Sequence, residues 1–239
     1  MAYLFGSYID YWLKKGYNLD KMGCVGTAVG IGLMGGTFDP IHYGHLVAAE
    51  DARYELGLEK VVFIPAGQPP HKPKELVSEA AHRVAMVRLA IATNPCFELS
   101  TVEVERPGPS YTVDTVAAFR KQYPTGELYF ITGADAVAEI LSWHRAEELL
   151  ARCQIVAVTR PGYVLDNLRE RLAGLDAYLW RKIRVLPVPG VAISSTAIRE
   201  RVREGRPIRY LLPDQVEAYI KEQGLYRLGV HRGIPRSQD

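Results

Sequence analysis

The sequence predicts an α/β protein with a Rossmann-like open parallel sheet and helices on both faces. Short apolar runs alternate with longer stretches of helical periodicity from Ala28 onward, which is the order that builds parallel strands joined by crossover helices. The chain has 239 residues, enough for one sizeable domain. Its 48% hydrophobic and 23% charged residues match an ordinary globular protein.

The predicted elements follow one another in β-α order. Ala28 to Met34 is a buried strand candidate, and residues 44–56 place apolar side chains at helical intervals before Gly57, a residue type that commonly ends helices. Length and periodicity identify the later elements in the same way. The other predicted strands cover residues 61–66, 128–132, 154–159 and 183–187, and the other predicted helices cover residues 79–92 and 112–122, start near Ser194 or Ser195, and start after Pro213.

This pattern divides the chain into three parts. Residues 1–27 are rich in aromatic residues without a sustained period, so we expect a poorly ordered N-terminal extension. Residues 28–227 form the predicted α/β domain, and residues 228–239 form a C-terminal tail. No run approaches the roughly 18 apolar residues of a membrane span, and the N-terminus lacks a basic start followed by an apolar stretch. We therefore expect neither membrane insertion nor secretion.

Charge and cysteine usage restrict the function classes. A formal net charge of +2 and a pI near 8.4 are too mild for a typical nucleic-acid-binding protein. This mild positive charge is equally compatible with a protein that binds a small anionic ligand. Cys24, Cys96 and Cys153 lie far apart, without the spacing of a zinc site and without an even set that suggests a disulfide framework. We expect a cytoplasmic protein that binds neither nucleic acid nor a membrane.

The most informative segment runs from Gly35 to His45, between the first predicted strand and the first predicted helix. Ligands of open α/β sheets bind beyond the carboxyl ends of the strands, and adjacent glycines let the backbone approach a phosphate. A helix N-terminus adds amide donors and a favourable dipole. His42 and His45 can both face one anion there, and Gly44 between them leaves space for a nucleotide.

Other interpretations of this region carry less weight. An isolated His-x-x-His pair is usually a turn with two surface histidines, and a metal site lacks a third ligand nearby in sequence. The segment from Gly30 to Gly35 also satisfies the dinucleotide pattern G-x-G-x-x-G. Its glycines lie within the predicted strand, however, and the helix begins only after Pro40. A dehydrogenase-type cofactor site is therefore disfavoured.

A second segment, Ile193 to Arg199, places three consecutive hydroxyl residues at the start of a late helix. Serine and threonine are common helix N-caps, so the segment alone has a purely structural explanation. Together with the first segment it offers a second anion site at a helix N-terminus. Two anion sites across one crevice suit a triphosphate.

Three weaker segments complete the pattern: Pro69 to Lys72, Tyr111 to Thr115, and Gly133 to Ala136 with Trp143 beyond it. Each alone has an ordinary structural explanation as a loop charge, a helix start or a core residue. In order and spacing, all these segments together with Arg160-Pro161-Gly162 resemble the bacterial-type nicotinate-nucleotide adenylyltransferases of the HxGH nucleotidyltransferase superfamily, across roughly residues 31–226. The two stronger segments resemble the glycine-rich turn with His-x-Gly-His and the Ile-Ser-Ser-Thr-x-x-Arg signature of that family.

The resemblance implies a nucleotidyltransferase-type sheet and an enzyme of NAD biosynthesis that joins the AMP part of ATP to nicotinate mononucleotide, giving deamido-NAD and pyrophosphate. It implies that His42, His45 and Arg199 are catalytic. The residues it assigns to ATP binding are Gly35, Gly36, Thr37, Phe38, Gly133, Asp135, Ile193, Ser194, Ser195 and Thr196. The residues it assigns to the mononucleotide are Lys72, Thr112, Trp143 and Arg160, with Trp143 stacked on the pyridine ring. The implied cofactor is Mg²⁺, held mainly by ATP phosphates and not by protein ligands.

Two other function classes share part of this pattern. Phosphopantetheine adenylyltransferases carry both phosphate segments, but the regions from Pro69 to Lys72 and from Asp135 to Trp143 favour a pyridine substrate. A nucleotide-binding regulator without catalysis would not need an intact His42, His45 and Arg199. The sequence leaves open the preference for nicotinate over nicotinamide mononucleotide and the formation of a homo-oligomer.

Overall fold

The computed structural model describes residues 30–70, 73, 77–159, 170, 172, 174–190 and 192–227. The predicted extension and tail lie outside these residues, so both stay predictions. The six strands of the described part are β1 Gly30–Gly36, β2 Lys60–Pro65, β3 Phe97–Leu99, β4 Glu127–Gly133, β5 Gln154–Thr159 and β6 Ile183–Pro187. The helices are α1 Tyr43–Glu55, α2 Ala80–Ile91, α3 Val102–Glu105, α4 Thr112–Gln122, α5 Ala134–Val137, α6 Ala146–Arg152, α7 Ala177–Trp180, α8 Ser195–Arg203 and α9 Asp214–Glu222, with a 3-10 turn at Ile140–Ser142.

All six strands are parallel and lie in the order β3-β2-β1-β4-β5-β6. β1 pairs with β2 on one side and with β4 on the other, so the direction in which strands are added reverses at β1. Such a reversal leaves a crevice beyond the carboxyl ends of the two strands, where ligands of open sheets bind. The predicted fold class is confirmed.

Both faces of the sheet are covered, as the side chains of β2 show. Val61 and Phe63 enter one buried apolar cluster, which also contains residues of α1, α2, α8 and α9. Val62 and Ile64 enter a second cluster, which also contains residues of α4 and α6. Successive side chains of a strand point to opposite faces, so a central strand covered on both faces is apolar at every position. This explains why the strands read as continuous apolar runs.

The ten elements predicted from periodicity agree with the structure to within two residues wherever bounds were predicted. Gly30 to Gly35 lies inside β1, and α1 begins only at Tyr43, so the glycine pattern does not open a helix as a dinucleotide fingerprint would. The sequence did not predict β3, α3, α5, α6 or α7. Each of these five elements has seven residues or fewer.

Two expectations drawn from composition can be compared with the described residues. None of their helices is long and apolar enough to cross a bilayer. Cys153 is free and buried, and burial raises the pKa of its thiol to about 12. Cys96 is disulfide-bonded, which the cysteine spacing did not indicate. The cytoplasmic location therefore stays a prediction from sequence.

Candidate active site

A cavity of about 330 Å³ lies at the carboxyl ends of the central strands. Gly35 of β1, Gly133 of β4 and Val158 of β5 contribute strand ends to its lining, which places it at the reversal of strand order. Seven of the residues predicted from the sequence line it. They are Gly35, His42, His45, Gly133, Ile193, Ser194 and Ser195. The structure thus brings the two stronger sequence segments to one cavity.

The two glycines that end β1 are packed against aromatic rings. A Cβ at Gly35 would lie 2.8 Å from Cζ of Phe130, and one at Gly36 would lie 2.9 Å from Cζ of Phe38. Phe38 itself is 2% exposed and has a φ of 50°. Its side chain belongs to the apolar core, so a contact of Phe38 with ATP would involve its backbone. Both glycines are needed for this packing, and of the two only Gly35 lines the cavity.

The two histidines stand at the N-terminus of α1. His42 is the N-cap residue, and its backbone N–H donates to Nδ1 of His45 at 3.3 Å. The two rings stack with centroids 3.8 Å apart. Because Nδ1 of His45 accepts a hydrogen bond, the proton of its neutral ring lies on Nε2. His45 therefore offers an N–H donor of the kind that a phosphate oxygen accepts.

Gly44 keeps this arrangement compact, because a Cβ there would lie 3.0 Å from two atoms of the His42 ring. The ring of Phe38 meets the ring of His45 edge-on, with centroids 5.1 Å apart. His45 is thus held by its own helix on one side and by the buried turn on the other. Such restraint favours a donor that is already aligned before a phosphate binds.

The second segment forms the first turn of α8. Oγ of the N-cap Ser194 accepts a hydrogen bond from the backbone N–H of Ala197 at 3.2 Å. Oγ of Ser195 donates to the carbonyl oxygen of Pro40 at 2.8 Å, across 155 residues of sequence. Ser194 has the capping role that its residue type allows, and Ser195 ties α8 to the loop before α1.

Arg199 joins the same loop from one helical turn further on. Its Nη1 donates to the carbonyl oxygen of Asp39 at 2.8 Å, and its Nη2 donates to Oγ1 of Thr196 at 3.2 Å. Arg199 is half-buried and Thr196 is exposed. Neither residue lines the cavity itself, but both belong to the helix turn that borders it.

The predicted pyridine residues lie together, outside the cavity lining. Thr112 is the first residue of α4. The ring of its neighbour Tyr111 stacks on His144 with centroids 4.2 Å apart, which brings the start of α4 beside Trp143. Trp143 is half-buried and meets the ring of Phe130 edge-on at a centroid distance of 6.1 Å. One part of Trp143 is therefore packed on the core, and its remaining surface is accessible.

Three further predicted residues have different outcomes. Asp135 is exposed in the first turn of α5, two residues beyond Gly133 of the cavity. Lys72 and Arg160 lie outside the described residues, so their predicted contact with the substrate phosphate stays a prediction.

The cavity also has an apolar side that the sequence segments did not include, formed by residues such as Ile131 and Val188.

Sequence reasoning missed a buried polar group behind the turn. The carboxylate of Asp39, which is 3% exposed, accepts from the hydroxyl of Tyr226 at 2.7 Å and from the backbone N–H of Ser78 at 3.1 Å. The guanidinium of Arg83 donates to the carbonyl oxygens of Ser78, Thr37 and Gly67 at 2.9, 3.0 and 3.2 Å. The buried carboxylate of Asp39 and the buried guanidinium of Arg83 thus both have hydrogen-bond partners on other segments of the chain.

Burial dominates the electrostatics of this group. It lowers the pKa of the Arg83 guanidinium, an effect that the charge of Asp39 opposes. It raises the pKa of the Tyr226 hydroxyl well above its ordinary value, and the adjacent Asp39 carboxylate raises it further. Tyr226 therefore stays a protonated donor to Asp39. One sequence signal was available, because Arg83 occupies an apolar position of the α2 pattern, on the face that buries Met86 and Val87.

Comparisons with known proteins agree with this architecture. Residues 33–201 match the profile of the Cytidylyltransferase-like family. The chain is 54% identical over 198 residues to a probable nicotinate-nucleotide adenylyltransferase of Moorella thermoacetica, covering 82% of this chain and 91% of the relative. It is 53% identical to the protein of the same description from a Thermoanaerobacter species, covering 85% and 97%. The solved Plasmodium falciparum nicotinic acid mononucleotide adenylyltransferase, complexed with NaAD, shares the fold with a TM-score of 0.67 at 20% identity, covering 83% of this chain and 97% of that one.

Proposed function

The chain belongs to the nicotinate-nucleotide adenylyltransferase family, and from this premise we propose that it transfers the AMP part of ATP to nicotinate mononucleotide. The products are deamido-NAD and pyrophosphate, and the reaction is a step of NAD biosynthesis. One structural observation carries the proposal beyond family membership. The cavity at the reversal of strand order is lined by His42 and His45 at one helix N-terminus and by Ser194 and Ser195 at another. Both helix ends offer donors to anions.

The reaction needs alignment more than it needs a nucleophilic side chain. An oxygen of the 5′-phosphate of the mononucleotide forms a bond to the α-phosphorus of ATP, and the bond between that phosphorus and the oxygen bridging to the β-phosphorus breaks. Pyrophosphate leaves with the electron pair of that bond. Such transfers are accelerated mainly by positioning and by stabilisation of phosphate charge.

Donors in the cavity and on the helix turn that borders it share the positioning and the charge stabilisation. We assign Nε2 of His45 to the α-phosphate, because its Nδ1 is held by the backbone of His42. We assign His42 to the phosphate chain. Arg199, with Ser195 and Thr196 at the start of α8, neutralises the pyrophosphate as it departs. Donors that are fixed before charge develops on the phosphate lower the barrier most.

The remaining assignments concern the two ends of the substrates. Gly133 ends β4 and Asp135 lies two residues beyond it, and both are proposed to contact the ATP side. Thr112 and Trp143, which the Tyr111 to His144 stack brings together, are proposed to receive the carboxylate and the ring of the pyridine. Lys72 and Arg160 are proposed to bind the phosphate of the mononucleotide.

A Mg²⁺ ion is proposed to be held by ATP phosphates and water. The residues that line the cavity include no carboxylate, and in the part of the chain that the structure describes no three or more His, Cys, Asp or Glu side chains cluster as metal ligands would. Mg²⁺ dehydrates reluctantly and commonly binds through substrate phosphates. When bound it neutralises charge on the phosphate oxygens.

A substrate comparison tests the proposed function. The protein is incubated with ATP and Mg²⁺, and pyrophosphate release is measured after separate addition of nicotinate mononucleotide, nicotinamide mononucleotide or phosphopantetheine. We expect the fastest release with nicotinate mononucleotide. Faster release with phosphopantetheine would overturn the proposal, and no release with any acceptor would favour a nucleotide-binding regulator. The same comparison measures the preference over nicotinamide mononucleotide, which the sequence leaves open together with the oligomeric state, and the absence of nucleic-acid binding stays a prediction.

A further inference from the structure

Asp39 connects the far end of the described chain to the phosphate-binding helix α8. Its carboxylate is held from one side by the hydroxyl of Tyr226 at 2.7 Å and by the backbone N–H of Ser78 at 3.1 Å. Its own carbonyl oxygen accepts from Arg199 on the other side, at 2.8 Å. The next carbonyl oxygen, that of Pro40, accepts from Ser195, also at 2.8 Å. One short loop segment therefore has its side chain fixed in the core and its backbone fixed to α8.

Tyr226 is itself rigidly placed. After α9 the chain turns at Gly224, which has a φ of 60°, and the backbone N–H of Leu225 donates to the carbonyl oxygen of Ile220 at 3.0 Å. This turn returns the chain to the core, where the ring of Tyr226 is 7% exposed and its hydroxyl also approaches Sδ of Met86. The hydroxyl is thus aimed at Asp39 by the packing of its ring. Removing it leaves the ring and its packing in place.

The loss of this donor would act on the loop backbone. A buried carboxylate that loses a hydrogen-bond donor must shift toward another partner or toward water, because an unsatisfied buried acceptor is costly. The carbonyl oxygens of Asp39 and Pro40 move with that residue. Arg199 and Ser195 take their orientation from these two oxygens, so a shift of the loop changes the direction of both side chains.

We propose that Asp39 and Tyr226 are positioning residues of the reaction: they hold the two loop carbonyls that orient Arg199 and Ser195 toward the outer phosphates of ATP. The inference rests on the proposed function, since it takes these two α8 side chains as the groups that receive pyrophosphate. It adds a role for two buried residues that contact no substrate. It also predicts that removal of the Tyr226 hydroxyl, 27 residues beyond Arg199 in sequence, lowers kcat.

Tyr226→Phe tests the inference, with Tyr219→Phe as the matched control. Tyr219 lies on α9, and its hydroxyl is 2.9 Å from Nδ1 of His82, away from the loop of Asp39 and Pro40. Tyr219→Phe therefore also deletes a hydrogen-bonded tyrosine hydroxyl. For Tyr226→Phe we expect kcat to fall about tenfold and the affinity for inorganic pyrophosphate to fall by a similar factor, because small displacements of aligned groups are costly. The KM for nicotinate mononucleotide should change less than about twofold, as should every parameter of Tyr219→Phe.

A double-mutant cycle separates positioning from a general loss of structure. If Tyr226 acts through Arg199, then Tyr226→Phe should lower kcat by less than about twofold when Arg199 is already alanine. A full tenfold further loss in that background would overturn the inference. So would a parallel loss of kcat and of both substrate affinities together with a lower melting temperature, which is the signature of a purely structural tyrosine.

Asp39→Asn should produce the same split between kcat and the KM for nicotinate mononucleotide, with a larger effect, because it alters the acceptor that both donors share. If wild-type protein forms no deamido-NAD, the proposed function fails. The pyrophosphate affinities of wild type, Tyr226→Phe and Tyr219→Phe then still decide the positioning role. If wild type is active and Tyr226→Phe matches it in kcat and pyrophosphate affinity, the positioning role fails and the proposed function stands.

Discussion

The imidazole of His45 has contacts on several sides, and three of them constrain its donor. The backbone of His42 occupies Nδ1, the His42 ring stacks on one face, and Phe38 meets the ring edge-on. We expect His45→Ala to lower kcat by about 10²- to 10³-fold, since losing one preorganised donor to the reacting phosphate has that size of effect. ATP affinity should change much less, because the contact strengthens only as charge develops.

Steady-state kinetics and an ATP titration measure the two quantities for His45→Ala. His82→Ala is the control, because His82 lies against Tyr219 and outside the cavity lining. It should keep near-normal turnover. If His45→Ala also keeps near-normal turnover, His45 has no catalytic role.

Trp143 tests the pyridine assignment. Its stacking on a pyridine ring would contribute roughly 0.5 to 1.5 kcal/mol beyond buried area. Trp143→Ala should therefore raise the KM for nicotinate mononucleotide and leave the KM for ATP nearly unchanged, and Trp143→Phe should retain part of the affinity. The contact with Phe130 offers a structural alternative, in which truncation would cost about 3 to 5 kcal/mol of stability.

The melting temperature, measured beside both Michaelis constants, separates these outcomes for Trp143. A large drop in melting temperature with parallel losses for both substrates would assign Trp143 to the core. A selective change in the KM for the mononucleotide at an unchanged melting temperature would assign it to the pyridine.

The candidate site residues that the sequence predicted are those that local patterns bring together. His42 and His45 share one helix turn, so their spacing shows that they can act together. Asp39 and Tyr226 are 187 residues apart, and no local pattern connects them. Tyr226 looks like any aromatic residue near a helix end until the fold brings its hydroxyl to Asp39.

At the scale of the elements, length decided what could be predicted. Helices such as α2 and α4 span three turns, enough for an apolar period to be visible, and the central strands are continuous apolar runs. β3 has three residues, and α3 has four, which is about one turn of an α-helix. Such short segments form because tertiary packing holds them, and intrinsic helix formation at that length is unfavourable. No sequence period could have shown them.

The loop after β2 depends on a close approach of two backbones at Gly67. Ser110 Oγ accepts from the backbone N–H groups of Gly67 and Gln68 at 2.9 and 3.2 Å, which ties this loop to the segment between α3 and α4. A Cβ at Gly67 would lie 2.1 Å from the carbonyl oxygen of Glu103. Since backbone atoms must separate, Gly67→Ala should lower the free energy of unfolding by about 1–3 kcal/mol or more.

Thermal unfolding checks this prediction, at roughly 2–4 °C per kcal/mol for a domain of this size. Gly133→Ala is the control for stability, because Gly133 has a φ of −66° and no atom lies within 4 Å of its added Cβ. An unchanged melting temperature for Gly67→Ala would show that the loop and α3 separate without cost.

Glu103 in α3 gives the same region a pH dependence. It is 5% exposed and accepts from Oγ1 of Thr115 at 2.6 Å. Burial raises its pKa, and the hydrogen bond from Thr115 and the charge of Arg106 offset this rise only in part. A carboxyl with a raised pKa in the fold contributes stability below its ordinary pKa of 4.5, and this contribution is lost as pH rises through the folded value. Glu103→Gln, which cannot ionise, should therefore gain stability relative to wild type as pH rises.

Urea unfolding of Glu103→Gln and wild type at pH 4.5 and at pH 8 measures the difference, with Glu105→Gln as an exposed control on the same helix. The stability of Glu103→Gln relative to wild type should be greater at pH 8 than at pH 4.5, and that of Glu105→Gln should change less. A relative stability that falls with pH would mean that the folded pKa is lowered instead.

At the scale of the whole molecule, the site exists because of strand order. Gly30 of β1 pairs with Glu127 of β4, so segments about 100 residues apart in sequence face one crevice. α8 then closes it from the far end of the domain through Ser195 and Pro40. The sequence indicated two phosphate segments, and the parallel sheet supplies their adjacency. The apolar side of the cavity could not be predicted, because its residues come from the ends of several strands at once.

The boundary of the domain gives the last prediction, which concerns residues 1–21. The six strands, the cavity and the residues assigned to ATP lie within residues 30–227, and the family match begins at residue 33. A chain that begins at Met22 should therefore keep kcat, both Michaelis constants and the melting temperature, with rate changes within about twofold. The comparison is a chain that ends at Gln223, which lacks the buried Leu225 and Tyr226 and should lose stability and turnover. If the chain from Met22 fails to fold or loses most of its turnover, the N-terminal segment is part of the domain, and the predicted boundary at residue 28 is wrong.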